Sequence, residues 1–325
     1  MIDVFSGALA LPAALLLDRL VGDPQWLWTR APHPVVLIGR AIEWLDRRLN
    51  LPALSSGARR RNGILTLAIL VVAGAGLGTL LELGLAHLPF GFGVQALLAS
   101  VLLAQKSLVD HVASVARALR SDGLEGGRRA VSLIVGRDVS VLDESGVSRA
   151  AIESAAENFS DGVVAPAFWF LLLGLPGLLV FKAVNTADSM IGHRSPRYEA
   201  FGWAAARFDD LLNLIPSRLS ALLMALAAGL TGGAGRIALS TALRDAPRHR
   251  SPNAGWPEAA AAGALGLALG GPRRYGSSVV DGAWLYEEGR HDAGAPDITA
   301  AIRLVDAAWC VLLGVALIIA FWIGR

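Results

Sequence analysis

Apolar residues in this chain come in long blocks, and polar residues gather at the block ends. Val4 to Leu17 is apolar and runs into Asp18 and Asp23 rather than into a small-residue cleavage site. It therefore reads as a retained helix and not as a signal peptide. Ala41 to Leu49 has the period of a short amphipathic helix. Ile64 to Ala86 is the first stretch of membrane-spanning length, about 20 residues. A Gly- and Pro-containing turn over Leu88 to Phe92 follows, and Val94 to Leu108 is expected to return the chain as a second crossing. Residues 105–162 read as soluble helices broken at Ser121-Asp122-Gly123 and Gly126-Gly127. Asp143 is placed there as an N-cap, with a helix running to about Phe159 and ending before Gly162. Val163 to Phe181 is apolar but interrupted by Gly174-Leu175-Pro176-Gly177, which predicts a broken, re-entrant hairpin covered by protein. Leu211 to Thr231 is a further apolar helix, interrupted by Pro216 and Arg218. Residues 232–257 form a Gly-, Arg- and Pro-rich loop ending in HRSPNAGWPE. Glu258 to Leu269 is Ala-Gly rich, too short to span, and suited to close helix packing. Arg273 to Thr299 is polar and loop-like, and Leu304 to Ile323 is the last span.

This pattern predicts an all-α polytopic membrane protein with four to five embedded helical segments, forming one embedded domain over 1–325. Basic residues set the orientation: Arg59, Arg60 and Arg61 precede the first span, and 105–162 carries seven basic residues. The positive-inside tendency then makes 18–63 and 105–162 cytoplasmic. A simple crossing at Val163 to Phe181 would put 182–210 outside, whereas the re-entrant hairpin keeps it cytoplasmic, and 232–303 is assigned to the same side. Composition agrees. The 325 residues are 54% hydrophobic and 17% charged, with a mean hydropathy of +0.51. The net charge of +2 and the lack of a long basic stripe with interleaved aromatics argue against nucleic acid as a partner. The lipid bilayer is the expected surroundings. Cys310 is the single cysteine, which excludes an internal disulfide; in its apolar run it reads as a small buried hydrophobe.

The polar groups at the block ends carry the candidate chemistry. Glu153, Glu157 and Asp161 recur every fourth residue, which stacks three carboxylates on one helical face. Carboxylates about 6 Å apart repel by roughly 0.7 kcal/mol in water but by about 3 kcal/mol at an effective dielectric near 20. A wet stripe is an ordinary solvated face, whereas an enclosed one calls for a hard cation such as Mg²⁺. Lys182, Asn185, Asp188 and Ser189 follow the next apolar run, and Asp209, Asp210 and Asn213 open the one after it. Polar groups at membrane depth are costly, about 2.5–3.5 kcal/mol for a charge at mid-bilayer, and so mark a site. Plainer readings stand beside this one: an Asp210–Arg218 pair, packing hydrogen bonds for Asn185 and Asn213, a mere turn at Ser251-Pro252-Asn253, a solvated His193, and a stiff structural loop for His33 between two prolines. No Walker loop, zinc-binding His pair, nucleophile elbow or dinucleotide fingerprint is present.

Four segments taken in order resemble the membrane-bound adenosylcobinamide-phosphate synthases of cobalamin biosynthesis, the CobD/CbiB family. They are DRLVGDPQ with HPVVLIGR, IVGRD with RAAIESAAENFSDGVVAP, FKAVNTADSMIGHRSPRYEAFGWAAARFDDLLNLIPSRL, and SPNAGWPEAAAAGALGLALGG, spanning Asp18 to Gly271. The resemblance implies a multi-pass protein of the cell inner membrane. It implies that adenosylcobyric acid is joined to (R)-1-amino-2-propanol phosphate by an amide bond, with ATP and Mg²⁺ as cofactors. The expected partners are that corrinoid and that aminoalcohol phosphate, with other cobalamin-biosynthesis enzymes as further candidates. On this reading Glu157, Asp161, Lys182, Asp188 and Asp210 are the catalytic candidates. Glu153, Glu157, Asp161, Asp209 and Asp210 are the metal candidates. His33, Arg137, Asp138, Asn158, Asn185, Arg194, Asn213, Arg218, Ser251, Asn253 and Glu258 are candidates for substrate or nucleotide. The competing class is a non-catalytic membrane sensor or a small-solute transporter, which also places charges at broken helices.

Overall fold

The computed structural model describes residues 6–275, 278–280 and 282–325, and 75% of the chain is helical. In chain order the first helices are α1 (Ser6–Val21), α2 (Gln25–Trp28), α3 (Pro34–Leu49), α4 (Ser56–Leu85), α5 (Gly91–Ser100) and α6 (Gln105–Val131). Then come α7 (Glu144–Phe159), a π-turn over Ser160–Val164, α8 (Ala165–Ala187), a second π-turn over Asp188–Gly192, and α9 (Trp203–Leu212). The last helices are α10 (Leu214–Gly232), α11 (Gly235–Asp245), α12 (Gly255–Leu265) and α13 (Ala295–Ile323). Five helical stretches among the described residues are long and apolar enough to cross a membrane: Ser56–Leu85, Gly91–Val131, Glu144–Gly192, Leu214–Gly232 and Ala295–Ile323. The protein is thus an all-α multi-pass membrane protein, as the apolar blocks predict.

Local chemistry sets the helix ends. Asp143 caps α7, its Oδ1 accepting the Gly146 N–H at 2.7 Å. Pro34 opens α3, where a missing N–H costs nothing. Several boundaries differ from expectation. α4 starts at Ser56 and α13 at Ala295, because polar residues at a helix end continue the helix once backbone bonding has begun. Residues 101–104 separate α5 from α6. Gly123 is a kink with φ 65°, whereas Gly126 and Gly127 stay helical. The 273–299 stretch takes part in two short antiparallel pairings, β4 (Trp284–Leu285) with the preceding β1 (Leu269–Gly270), and β2 (Arg273–Tyr275) with β3 (Ser278–Val280). Residues 276, 277 and 281 of that stretch, like Val4 of the first apolar block, lie outside the described residues. Cys310 is exposed on α13 rather than buried, because that face of the span is apolar surface for lipid.

The chain's contacts group into two compact units, where a single domain is expected from the sequence. The first comprises Met1–Ala104, Ala165–Asn213 and Ala316–Arg325; the second comprises Gln105–Val164 and Leu214–Val315. In the first unit α4 packs along α8. Gly74 and Gly78, four residues apart, make this approach close, for a Cβ at Gly78 would lie 2.5 Å from Pro176 Cα. Small residues serve membrane helix pairs this way, since lipid offers no hydrophobic gain on association. The expected break in the Val163 to Phe181 block is present: Gly174 leaves helical geometry, at φ 62° and ψ −149°, and divides α8 into two helical pieces joined by a kink. Glu82 of α4 covers the break, its Oε1 accepting the Leu175 N–H at 2.8 Å. Asp46, buried at the end of α3, binds Arg197 at 2.6 Å and Asn50 at 2.8 Å, tying the 195–202 segment to a core that includes Ile42, Leu45 and Phe201. In the second unit α6 packs on α7, and α10, α11 and α12 pack on one another, the buried Ala259–Ala262 run of α12 allowing close contact.

Candidate functional site

The first unit gathers Lys182, Asn185, Asp188, Asp209, Asp210 and Asn213. Lys182 and Asn185 lie one helical turn apart on α8, and Asp188 starts the π-turn that widens its end. A Cβ at Gly192 would overlap Asp188 Oδ1, so glycine there leaves the carboxylate its place. Asp209 is buried. Its Oδ1 accepts from Asn185 Nδ2 at 3.2 Å and its Oδ2 from Asn213 Nδ2 at 3.0 Å. Burial, and after it the Asp188 charge, push the Asp209 carboxyl up to about 7, against the lowering effect of the two amide hydrogen bonds. Burial also raises Asp210, in part offset by Arg207, whose NH1 stands 3.4 Å from Asp210 Oδ2. Asn213 Oδ1 is buried and accepts no hydrogen bond among the described residues. Arg194 is exposed on the loop beyond the π-turn, and His193 stacks edge-on against Tyr198. His33 caps α3 through Nδ1, sits 3.3 Å from Asp23 through Nε2 and packs on Trp28, which is a structural post.

The second unit gathers Arg137, Glu153, Ser154, Glu157, Asn158 and Glu258. Both Glu153 oxygens are engaged: Oε2 by Arg137 at 2.7 Å, Oε1 by the Gly270 N–H at 2.8 Å. That pair forms part of the wall of two clefts. One, of about 250 Å³, is lined by Arg137, Glu153, Ser154, Glu157 and Glu258 among others. The other, of about 310 Å³, adds Asp143 and Arg149. The carboxylate stripe is therefore uneven. Glu153 is buried in an ion pair, Glu157 is exposed, and Asp161 is half-buried within the π-turn, whose wider winding takes it off the strict four-residue face. Asn158 Nδ2 donates to Ser154 O at 2.9 Å. Asp138 folds back on Ser140, and these hydrogen bonds hold its exposed carboxyl below the usual range.

A second polar group in this unit joins α10 to the loop before α12. Arg218 NH1 donates to Leu214 O at 2.7 Å and to Asn253 Oδ1 at 3.3 Å, and its guanidinium lies 4.6 Å from the Trp256 ring centre. Ser217 Oγ donates to the same Asn253 oxygen at 3.3 Å. Ser251 Oγ accepts the Asn253 and Ala254 N–H groups at 3.2 and 3.1 Å, so SPN is an ST-turn that opens α12. Residues not singled out by sequence join these groups: Ser154, Arg149, and above all His249, whose ring lies 3.7 Å from Glu258. His249 stands in the quoted HRSPNAGWPE segment, two residues before Ser251, and that proximity was the available signal.

A divalent metal can be matched against these residues. Among the described residues no three His, Cys, Asp or Glu side chains converge as a cage. Mg²⁺ does not require one, because it keeps several waters and uses one or two carboxylates with substrate phosphates. Asp188 and Asp209, with the unsatisfied Asn213 Oδ1 beside them, fit that donor set.

The chain has extensive relatives. A profile described as CobD/Cbib protein matches residues 11–305. A Brucella anthropi protein named cobalamin biosynthesis protein CobD is 56% identical over 313 residues, 94% of this chain and 95% of the relative. One of the same name from a Sinorhizobium species is 55% identical over 315 residues, covering 96% and 98%. A Rhodobacter capsulatus relative, also so named, is 49% identical over 284 residues, 86% of each chain. No solved structure matches. On this evidence the chain belongs to the CobD/CbiB family.

Proposed function

We propose that the protein acts in cobalamin biosynthesis, in the cell inner membrane, as an ATP- and Mg²⁺-dependent ligase that joins adenosylcobyric acid to (R)-1-amino-2-propanol phosphate, giving adenosylcobinamide phosphate. The observation that carries the reading is near full-length identity of about half or more to proteins named for cobalamin biosynthesis. A carboxylate does not accept an amine near neutral pH unless its oxygen becomes a leaving group, most simply a phosphate. Mg²⁺, when bound, supplies charge neutralisation for the phosphoryl oxygens. Roles are assigned unit by unit. In the first, Asp188 and Asp209 hold the metal with Asp210 close by, Lys182 binds a phosphate as a compact point charge, and Asn185 and Asn213 orient Asp209. In the second, Glu157 and Asp161 are assigned to a cation, while Glu153 is held by Arg137 and the Gly270 N–H. Arg137 and Arg218 receive anionic or amide oxygen, and Asn158, Ser251 and Asn253 offer neutral hydrogen bonds to corrin amides.

The test is amide formation by purified protein in detergent with both substrates, ATP and Mg²⁺. Product that requires all four supports the reading. Absence of product, or product without ATP, rejects it.

A further inference from the structure

The kink in α8 shapes a groove in the first unit. A Cβ at Gly177 would lie 2.5 Å from Trp169 O, eight residues earlier. In a straight helix those residues are about 12 Å apart, so the second piece of α8 folds back along the first. Between the two pieces, α4 and α9 lies a cavity of about 550 Å³, whose walls include Ala75, Thr79, Trp169, Leu173, Val180 and Phe208. That volume is within the range of ligand sites, roughly 300–1,000 Å³. Glu82 is the one ionisable side chain among the described residues that line it. Its Oε1 accepts from the Leu175 N–H at 2.8 Å and from Gln95 Nε2 at 3.2 Å. Its Oε2 accepts no hydrogen bond among the described residues.

The depth of Glu82 and its surroundings point to the occupant. Arg61 and Glu82 stand on the same helix, α4, separated by about 32 Å of rise, which matches the roughly 30 Å hydrocarbon core. With Arg59, Arg60 and Arg61 at one headgroup level, Glu82 stands at the other. The groove runs from there toward mid-membrane, where Phe208 and Leu212 pack with Leu67 and Val71 of α4. The surface around it is apolar: Val72 and Leu83, which neighbour Ala75 and Thr79 on α4, are exposed, as are Leu172 and Leu173. An apolar slot beneath a carboxylate at headgroup depth matches a lipid, with its chain below and a cationic head above. A carboxylate oxygen lacking a donor selects a head with N–H groups, a primary ammonium over a quaternary one. We propose that the groove seats an acyl chain of an aminophospholipid, whose primary ammonium binds Glu82 Oε2. The occupant is a bilayer component and not a substrate, so the lipid seat stands apart from the ligase reading.

The experiment is lipid titration of the delipidated full chain in detergent, read by native mass spectrometry. The probes are phosphatidylethanolamine, its N-methyl and N,N-dimethyl forms, phosphatidylcholine and phosphatidylglycerol, all with the same acyl chains. A hydrogen bond to a charged group sets the expected preference. Wild type binds phosphatidylethanolamine roughly ten- to hundred-fold more tightly than phosphatidylcholine or phosphatidylglycerol, with affinity falling along the methylation series. Glu82→Gln keeps an acceptor for the Leu175 N–H and is expected to bind all headgroups within about two-fold of one another. Ala75→Phe fills the groove and is expected to lose binding of every probe. Should Glu82→Gln elute as an aggregate, the methylation series on wild type, with Ala75→Phe, gives the same readout. Equal affinity for all headgroups in wild type, an ethanolamine preference kept by Glu82→Gln, or unchanged binding by Ala75→Phe overturns the inference. A wild-type dimer that takes up no lipid overturns it too, and assigns the groove to a second copy of the chain.

Discussion

Lys182 is one of two lysines in a chain that otherwise uses arginine for its basic residues. It is half-buried on α8, one turn before Asn185, whose amide holds Asp209. A mere interfacial anchor would tolerate arginine, since both side chains snorkel. A phosphate seat built for a compact ammonium does not accept the broader guanidinium fork. Lys182→Met is therefore expected to abolish amide formation and Lys182→Arg to lower kcat/KM at least about ten-fold, roughly 1.4 kcal/mol. Full activity in Lys182→Arg returns the residue to an anchor. Asp245 gives a second test at this scale. Burial raises its carboxyl, but the hydrogen bonds from Arg244, the Tyr286 N–H and Arg248 prevail and hold it below the ordinary value of 3.8. A depressed carboxyl contributes stability that is present above the ordinary value and lost as pH falls through the depressed one. Melting in detergent between pH 6 and 3 should fall more steeply for wild type than for Asp245→Asn, as a single-site difference of this sign requires; parallel curves contradict it. Residue roles were legible where they were local. Asp143 reads as a cap from sequence, and its Oδ1 accepts the Gly146 N–H. The carboxylate stripe does not read correctly, because the partner of Glu153 is the Gly270 amide, 117 residues away, and a π-turn shifts Asp161.

The break in α8 shows what an element records in its sequence. Gly174 and Pro176 announce the interruption, and only glycine adopts φ 62° there without strain. The sequence does not show what satisfies the freed backbone. That is Glu82, 93 residues earlier on α4, which also accepts from Gln95 Nε2 at 3.2 Å. A Cβ at position 174 would meet the Glu82 carboxylate as well as force the left-handed region. Gly174→Ala is expected to destabilise the protein by about 1–3 kcal/mol. Glu82→Leu, which leaves the Leu175 N–H without its acceptor, is expected to cost about as much, and Glu82→Gln less, since the amide oxygen still accepts. Thermal unfolding in detergent measures all three. A Gly174→Ala variant as stable as wild type removes the strain argument. The same reasoning covers α13. Its apolar half is plain in sequence, while its start at Ala295 depends on Asp297 accepting from the Gly294 N–H at 2.8 Å, a cap hidden in a polar stretch.

At the scale of the whole molecule, the long apolar runs carry enough information for the class, because span length and hydropathy do not depend on partners. All five candidate spans overlap apolar blocks visible in the sequence. The division into two units is not visible in the same way, since the first unit is assembled from three separate segments and the second from two. Long-range contacts decide that grouping, and they also decide the site: Asn185 with Asp209 and Arg218 with Asn253 each join residues from different elements. The central claim is that this chain activates a corrinoid carboxylate by phosphorylation and passes it to an amine. The most direct measurement uses adenosylcobyric acid with its free carboxylate labelled in heavy oxygen, supplied with ATP, Mg²⁺ and the aminoalcohol phosphate. The account predicts one labelled oxygen in inorganic phosphate for each amide bond formed. Label in AMP, or amide formed with unlabelled phosphate, would contradict it.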